Sequence, residues 1–171
     1  MIHPQPLMLL VSVLLFLLTG CRGQIVSSSN NIDALIRRSN TSQRSPAMGQ
    51  QMLATIANRD NHDKIELFDL RTNRNIALPN LNQTDVQPIS VSIDADAQRV
   101  AIVRQREGKA ELVIYLRSLG SLQQLELNPP GVPRHVSLDA TGQFLAVEVS
   151  RAGVWQTDLL HLSFEGLNRR G

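Results

Sequence analysis

The stretch that decides the fold is residues 137–147, which read Ser-Leu-Asp-Ala-Thr-Gly-Gln-Phe-Leu-Ala-Val. Its first half contains turn-forming residues, because an Asp accepts hydrogen bonds from the backbone N–H groups that follow it and Gly readily adopts a positive φ. Its second half contains a short apolar run that includes the aliphatic–Ala pair Leu145-Ala146, which is typical of a buried strand. The stretch therefore predicts a turn that leads directly into a buried β-strand.

The same unit occurs twice more, earlier in the chain. Residues 45–51 precede Leu53-Ala54, and residues 92–98 precede Val100-Ala101, as residues 137–143 precede Leu145-Ala146. Each copy continues with a polar hairpin loop and a second apolar run, and the first two copies add an outer strand. The second runs are residues 65–70, 112–116 and 157–162, and the outer strands are residues 74–78 and 122–127. A period of roughly 40 to 50 residues with several short strands per copy predicts propeller blades.

These residues resemble the TolB-type (WD40-like) propeller repeat, in which a Ser-Pro-Asp-Gly turn leads into a strand and a later strand closes with Asp-Leu. The third copy matches best, with Asp139 and Gly142 in its turn and Asp158-Leu159 further on. The first copy has Ala47 in place of the Asp, and the second has Ala97 in place of the Gly. The resemblance covers residues 45–164, and the chain looks similar in particular to short TolB-like lipoproteins of cyanobacteria. It implies an all-β fold of about three antiparallel propeller blades. Because complete propellers have at least four blades, an incomplete, open propeller is expected.

The beginning of the chain resembles a lipoprotein export signal. Residues 7–18 are almost entirely apolar, a length that suits a signal peptide and is short for a transmembrane helix. Leu18-Thr19-Gly20-Cys21 then resembles the bacterial lipobox, in which the Cys thiol receives a lipid such as a palmitate-containing diacylglycerol. We therefore predict a signal peptide over residues 1–20, a lipidated N-terminus and flexible tether over residues 21–44, and a C-terminal tail over residues 165–171. The implied location is the periplasm, with the outer membrane favoured because Arg22 rather than Asp follows the Cys.

Composition and motifs argue against several functions. The 17 basic residues are scattered among 15 acidic ones and only 4% of residues are aromatic, which does not fit a nucleic-acid binder. No hydrolase, zinc-protease, phosphate-loop or dinucleotide motif occurs, so we predict a protein that is not an enzyme and has no cofactor or metal site. Asp60 and Asp63 are interpreted as turn residues, and Asp94 and Asp96 as turn caps of backbone groups. Trp155 is interpreted as a side chain packed on the neighbouring strand, and His135 and His161 as structural or exposed side chains.

The resulting hypothesis is a membrane-anchored envelope lipoprotein that acts as a non-catalytic protein-binding module of TolB-like type. Uncovered blade faces are apolar surfaces, so protein partners or self-association through those faces are expected. Two alternatives stay open. One is a structural subunit of a larger envelope or photosynthetic-membrane complex, and the other is an envelope protein that binds a metal or another ligand through the carboxylates of its loops.

Overall fold

Residues 42–163 are the part of the chain that the computed structural model describes, and they form eleven β-strands. The strands are β1 (Gln43–Met48), β2 (Met52–Arg59), β3 (His62–Asp69), β4 (Arg74–Ile76), β5 (Val86–Ile93), β6 (Arg99–Arg106), β7 (Lys109–Leu116), β8 (Ser121–Leu125), β9 (Val132–Leu138), β10 (Phe144–Arg151) and β11 (Val154–His161). Within this range the structure has no helical segment with the length and apolar composition needed to span a bilayer.

The strands form three separate antiparallel sheets, each of which corresponds to one copy of the repeat. The first blade has the order β1-β2-β3-β4, the second β5-β6-β7-β8 and the third β9-β10-β11. Neighbouring strands in each sheet are consecutive in sequence, which is the up-and-down arrangement of a propeller blade. The predicted all-β, open propeller of about three blades is therefore confirmed.

The two middle strands of every blade are joined by the same kind of tight turn. Asp60-Asn61, Glu107-Gly108 and Ala152-Gly153 each connect strands by two residues, and both residues of each pair have positive φ. Two consecutive positive φ angles define a type I′ turn, whose twist matches that of the flanking strands. The three polar hairpin loops that the sequence predicts thus share one backbone conformation.

The second blade is buried on both of its faces because its strands alternate between two cores. Val100 and Ile102 on β6 contribute to a core shared with the first blade, whereas Ala101 and Val103 contribute to a core shared with the third. On β7, Tyr115 faces the first of these cores. Side chains of a strand point alternately to opposite faces, so a middle blade must be apolar throughout. This is why its strands appear in the sequence as continuous apolar runs.

Serine hydroxyls link the blades across their first strands. Ser45 Oγ accepts a hydrogen bond from the backbone N–H of Val91 at 3.3 Å, and Ser92 Oγ accepts one from the N–H of Leu138 at 2.8 Å. The acceptor is in one blade and the donor in the next. These bonds satisfy backbone groups that stacking would otherwise bury without a partner.

The turns that join the first and second strands of the blades also touch one another. Gln50 N–H donates to the carbonyl of Ala95 at 2.7 Å, and Ala95 N–H donates to the carbonyl of Ala140 at 3.0 Å. A Cβ at Gly49 would lie 2.5 Å from the Ala95 carbonyl oxygen, closer than non-bonded atoms approach. The first blade therefore requires glycine where the next blade's turn rests on it.

One backbone hydrogen bond recurs in every blade and defines how the copies align. The donor N–H and acceptor carbonyl are Leu70 and Gln51 at 2.9 Å, Arg117 and Gln98 at 2.9 Å, and Leu162 and Gln143 at 2.7 Å. The three donors and the three acceptors are spaced along the chain as the repeat predicts.

One boundary differs, since β1 begins at Gln43, two residues inside the predicted tether. Gln43 and Arg44 pair with Ala57 and Ile56, which extends the first strand.

Candidate interaction surface

Several predicted features lie outside the described residues. They are the signal peptide over residues 1–20, the lipidation site Cys21, most of the tether and the tail over residues 165–171. The structure places the other candidate residues, all of which are in the blades.

The carboxylate of Asp63 is held by two side chains of the first blade, one of which, Arg44, also reaches the second blade. Arg44 Nη2 donates to its Oδ2 at 2.8 Å and Asn58 Nδ2 donates to its Oδ1 at 2.9 Å. The bond from Arg44 is the main reason why the pKa of Asp63 is lowered. Arg44 also donates to the backbone carbonyl of Pro88 at 2.7 Å, across the blade interface. Asp63 thus has a structural partner for each of its oxygens.

A polar cleft of about 430 Å³ opens between the hairpin ends of the first two blades. Its lining includes the carboxylates of Asp63, Asp85 and Glu107. Asp63 is paired with Arg44, and Asp85 accepts a hydrogen bond from Arg106 Nε at 3.1 Å. Two of the three carboxylates are therefore already neutralised by arginine. Throughout residues 42–163, no group of three His, Cys, Asp or Glu side chains is placed to hold a metal ion.

Asp139 caps the turn between β9 and β10 of the third blade, as the sequence predicts. Its Oδ1 accepts hydrogen bonds from the N–H groups of Gln143 at 2.8 Å and Phe144 at 2.7 Å. The hydroxyl of Thr141 together with these N–H groups lowers the pKa of Asp139 to about 2. A carboxylate that accepts several hydrogen bonds is stabilised in its charged form.

Asp94 has the same role in the second blade but lies in a more buried setting. Its Oδ1 accepts from Gln98 N–H at 2.7 Å and its Oδ2 from Arg99 N–H at 3.2 Å. Burial raises the pKa of Asp94 despite these bonds. Asp96 is exposed, and the two residues belong to a turn rather than to a pocket. The prediction that these carboxylates cap backbone groups is confirmed for Asp94.

Exposed apolar side chains are concentrated on the third blade. Seven large hydrophobic residues are exposed in the described part of the chain, and five of them are on β9, β10 and β11. These five are Val132, Phe144, Val154, Trp155 and Leu159. Leu159 is 70% exposed and Trp155 is 45% exposed. Clusters of this kind mark interaction sites more often than isolated apolar residues do.

Most of these residues share the face of the third blade that points away from the second. Leu145, Val147 and Val149 on β10 lie in the core with the second blade, so the residues that alternate with them face outward. The outward residues on β10 are Phe144, Ala146, Glu148 and Ser150, and their partners on β11 are His161, Leu159, Thr157 and Trp155. We call this face, together with Val132 and Arg134 of β9, the third-blade surface.

Aromatic rings on the third-blade surface are held by neighbouring side chains. The guanidinium carbon of Arg134 lies 4.1 Å from the ring centroid of Trp155, which is the geometry of a cation–π contact. Arg134 Nη2 also donates to Glu148 at 2.7 Å. At the other end, the rings of Phe144 and His161 have centroids 5.1 Å apart. The aromatic residues are thus exposed and at the same time oriented.

The third-blade surface differs chemically from the corresponding face of the second blade. Buried apolar residues of the second blade are replaced by polar ones at the aligned positions: Val103 by Glu148, Leu112 by Thr157, and Leu116 by His161. Burying His161 and the charged pair of Glu148 and Arg134 is costly, so a further blade of the same kind would not pack there as the third packs on the second. The surface is amphipathic rather than a continuation of the apolar core.

The basic side chains of the third blade are paired with carboxylates. Besides the pair of Arg134 and Glu148, Arg151 Nη1 donates to Asp158 Oδ1 at 2.9 Å. Arg151 lowers the pKa of Asp158 through this bonding. Both arginines of the described third blade are therefore balanced by a carboxylate of the same sheet.

The packing partner of Trp155 differs from the one that the sequence predicts. Trp155 was expected to pack on the neighbouring strand, whereas it stacks with Arg134 of β9, on the far side of β10. The alternation of Trp155, Thr157 and Leu159 along β11 was the available signal, because residues two apart on a strand share a face. The partner Arg134 had no such signal, since pairing across a sheet depends on register.

The structure is similar to solved β-propellers. TolB from Acinetobacter baumannii matches with a TM-score of 0.54 and 17% identity over 68% of this chain and 29% of that one. The β-propeller domain of the Trilobed protease from Pyrococcus furiosus matches with a TM-score of 0.50 and 16% identity over 70% of this chain and 38% of that domain. A puromycin-hydrolyzing peptidase from Mycobacterium tuberculosis matches with a TM-score of 0.52 and 16% identity over 71% of this chain and 19% of that one.

These similarities establish the fold. No protein-family model and no curated protein matches the chain by sequence. The chain spans less than two fifths of each of the three solved proteins, so their activities do not transfer with the fold. The structural similarities, the strand order and the repeated hydrogen bond together show that this chain has a TolB-type β-propeller fold. The described residues form three of its blades.

Proposed function

We propose that this protein is a non-catalytic protein-binding module, anchored in the cell envelope by a lipid on Cys21. The observation that carries the binding function is the third-blade surface, where Trp155, Phe144 and Leu159 are exposed beside Arg134. Aromatic residues and Arg are enriched at protein interfaces and among the residues that contribute most binding energy. Because Arg134 and Glu148 hold the Trp155 side chain in place, less conformational entropy is lost when a partner binds.

The absence of catalysis is part of the proposal and is supported by how the carboxylates are used. Asp94 and Asp139 bond turn N–H groups, and Asp63 and Asp158 are paired with arginines. A carboxyl group that acts as a general acid or base must be able to donate a proton to a substrate or accept one from it. These four carboxylates are instead committed to holding the fold together.

Site-specific photo-crosslinking in intact cells tests the binding function. A photoreactive amino acid replaces Trp155 in one variant and Leu119 in another. Leu119 is also exposed but lies in the turn between β7 and β8 of the second blade. We expect one or a few defined adducts from position 155 and none from position 119. Equal crosslinking at both positions, or none at position 155, would contradict the assignment of the third-blade surface.

The anchor is supported by the lipobox-like Leu18-Thr19-Gly20-Cys21 that follows the apolar run. Each acyl methylene buried in a bilayer contributes about 0.8 kcal/mol, so two or more chains hold a protein on a membrane without a spanning segment. Cys21 is the single Cys of the chain, which makes the test direct. Radioactive palmitate should label the natural protein and not the Cys21→Ser variant, and label that persists in the variant would refute the lipid site.

A periplasmic position on the outer membrane completes the proposal. It rests on the predicted export signal and on Arg22, which follows the Cys where Asp would favour retention at the inner membrane. Separation of the two membranes on a density gradient should place the natural protein with the outer membrane. The Arg22→Asp variant should shift to the inner membrane, and an unchanged distribution would contradict the sorting argument.

A further inference from the structure

We propose that residues 31–38, within the predicted tether, pack against the outer face of the first blade and close that end of the stack. Side chains on this face are deeply buried, although no strand of residues 42–163 lies against them. The first blade is at the opposite end of the stack from the third-blade surface, so this cover does not compete with the proposed protein partner.

The outer face of the first blade follows from the alternation of side chains along β2 and β3. Ala54 and Ile56 of β2 lie in the core shared with the second blade, so the residues that alternate with them point the other way. These residues are Leu53, Thr55 and Ala57, and their partners on β3 are Phe68, Glu66 and Lys64. We call this set the first-blade outer face.

Side chains of the first-blade outer face are more buried than those at the other end of the stack. Phe68 is 3% exposed and Ala57 is completely buried, whereas Phe144 on the third-blade surface is 45% exposed. Glu66 and Glu148 are each paired with an arginine, but their side chains are 12% and 30% exposed. A Phe has on the order of 150 to 250 Å² to bury, more than the flat face of its own sheet hides. The first-blade outer face is therefore covered.

The described strands do not provide this cover. The packing contacts of β2 and β3 are with each other, with β1 and β4 of the same sheet, and with β5 on the side of the second blade. In the connection between β4 and β5, Leu78 and Leu81 lie in the core shared with the second blade. Phe68 and Ala57 belong to neither of the two apolar cores that the described residues build. Residues outside 42–163 must therefore bury them.

The segment that precedes β1 is the one in position to do so. β1 begins at Gln43, which pairs with Ala57 of the first-blade outer face itself. The compact unit that contains the blades begins at Asn31. The chain after residue 163 instead leaves from the third blade, and the second blade lies between the third and the first. Residues 31–38 are therefore the occupant that we assign.

The sequence of this segment suits an amphipathic cover. Ile32, Leu35 and Ile36 are spaced by three and four residues, which places them on one side of a helical turn. Asp33 near the start of such a turn and Arg37-Arg38 near its end match the helix dipole. Terminal caps of repeat proteins have the same character, since they hide the last apolar face and present polar residues to water.

Acrylamide quenching of a Trp placed on the first-blade outer face tests the cover in the full-length protein in detergent. Trp155 is the single Trp of the chain, so Trp155→Phe combined with Phe68→Trp leaves one reporter, at position 68. Trp155 of the natural protein is the exposed standard, because it is 45% exposed. We expect a quenching constant at position 68 well below that of the standard.

Charges in the covering segment should expose the reporter. Leu35→Asp with Ile36→Asp should raise the quenching constant at position 68 roughly threefold or more, because charged side chains do not pack on an apolar face. Ser39→Asp with Asn40→Asp adds the same charge nearby and should leave it unchanged. A reporter quenched as readily as Trp155 before any charge is added would overturn the proposal, as would one that stays shielded after Leu35→Asp with Ile36→Asp.

A mutant cycle on the natural aromatic residue gives a second measurement, which does not depend on Phe68→Trp. Leu35→Ala and Phe68→Leu should each lower the urea midpoint, and together they should lower it by less than the sum, because contacting residues are coupled. Leu35→Ala with Leu145→Ala is the control pair, and its effects should add, since Leu145 lies in the core of the second and third blades. Additive effects in both pairs would contradict the contact. Neither measurement involves the position-155 crosslinks that test the proposed function.

Discussion

The replacement of Leu145 by Ala tests the stacking of the third blade on the second. Leu145 is completely buried and lies in the core that these two blades share, beside Leu138 and Val147. Removing the side chain of a fully buried Leu costs its transfer free energy and leaves a cavity, for a total of roughly 2 to 5 kcal/mol in well-packed cores. Because Leu145 lies on the middle strand of its blade, little collapse is available to fill the space. We therefore expect the free energy of unfolding to fall by about 3 kcal/mol.

Urea unfolding measured by the fluorescence of Trp155 and by circular dichroism gives this quantity. Trp155 is the single Trp of the chain and reports on the third blade, whereas circular dichroism reports on all of the strands. The matched control is Leu119→Ala, because Leu119 is more than half exposed in a turn, and its loss should cost less than about 0.5 kcal/mol. Equal effects of the two substitutions would refute the stacking of these blades. A Leu145→Ala protein in which the fluorescence transition separates from the dichroism transition would instead show that the third blade can unfold alone.

Three further outcomes follow from particular contacts. Gly49→Ala should destabilise the protein by about 2 kcal/mol in urea unfolding, because its Cβ would overlap the backbone oxygen of Ala95. Ser92→Ala should cost about 1 to 3 kcal/mol in the same assay, since it removes the acceptor of the buried Leu138 N–H, and a neutral effect would show that this N–H finds another partner. The pKa of Asp139 is about 2 in the fold against an ordinary value of 3.8, so its charge stabilises the fold above pH 4 and this contribution is lost as the pH falls toward 2. Asp139→Asn should accordingly be less stable than the natural protein at pH 7 and nearly equal to it at pH 2, and a difference independent of pH would contradict the role of the charge.

The repeat was readable from the sequence because the physical demands on each copy are the same. Every blade needs an apolar middle strand, a type I′ hairpin and a turn that leads from its first strand into its second. The aliphatic–Ala pairs and polar loops reflect these demands, and they placed β2, β6 and β10 correctly. The turn carboxylates were also predictable, since an Asp before a tight turn usually accepts bonds from the N–H groups that follow. The second copy departs from this pattern at Ala97, which has a φ of 50° where the third copy has Gly142. A positive φ is unfavourable for a residue with a Cβ.

Contacts between blades were not readable, because they depend on how far one sheet is shifted against the next. Arg44 illustrates this limit. The sequence predicts it in a polar tether, whereas the structure shows that it donates hydrogen bonds to Asp63 and to the carbonyl of Pro88. Arg104 is a second case. It occupies a buried strand position where the aligned residues of the other blades are Ala57 and Val149, and it pairs with Glu111 at 3.0 Å. A charged residue within an apolar run gives no indication of whether it faces solvent or a buried partner.

The same alignment of copies indicates what kind of partner the third blade accepts. If the stack were built to continue, the third-blade surface would repeat the apolar residues that the second blade presents to the third. It has Glu148 and His161 instead, so a further blade would have to bury a charged pair and an imidazole that gain no new partners. The chemistry of the third blade thus disfavours another blade of the same kind on its face.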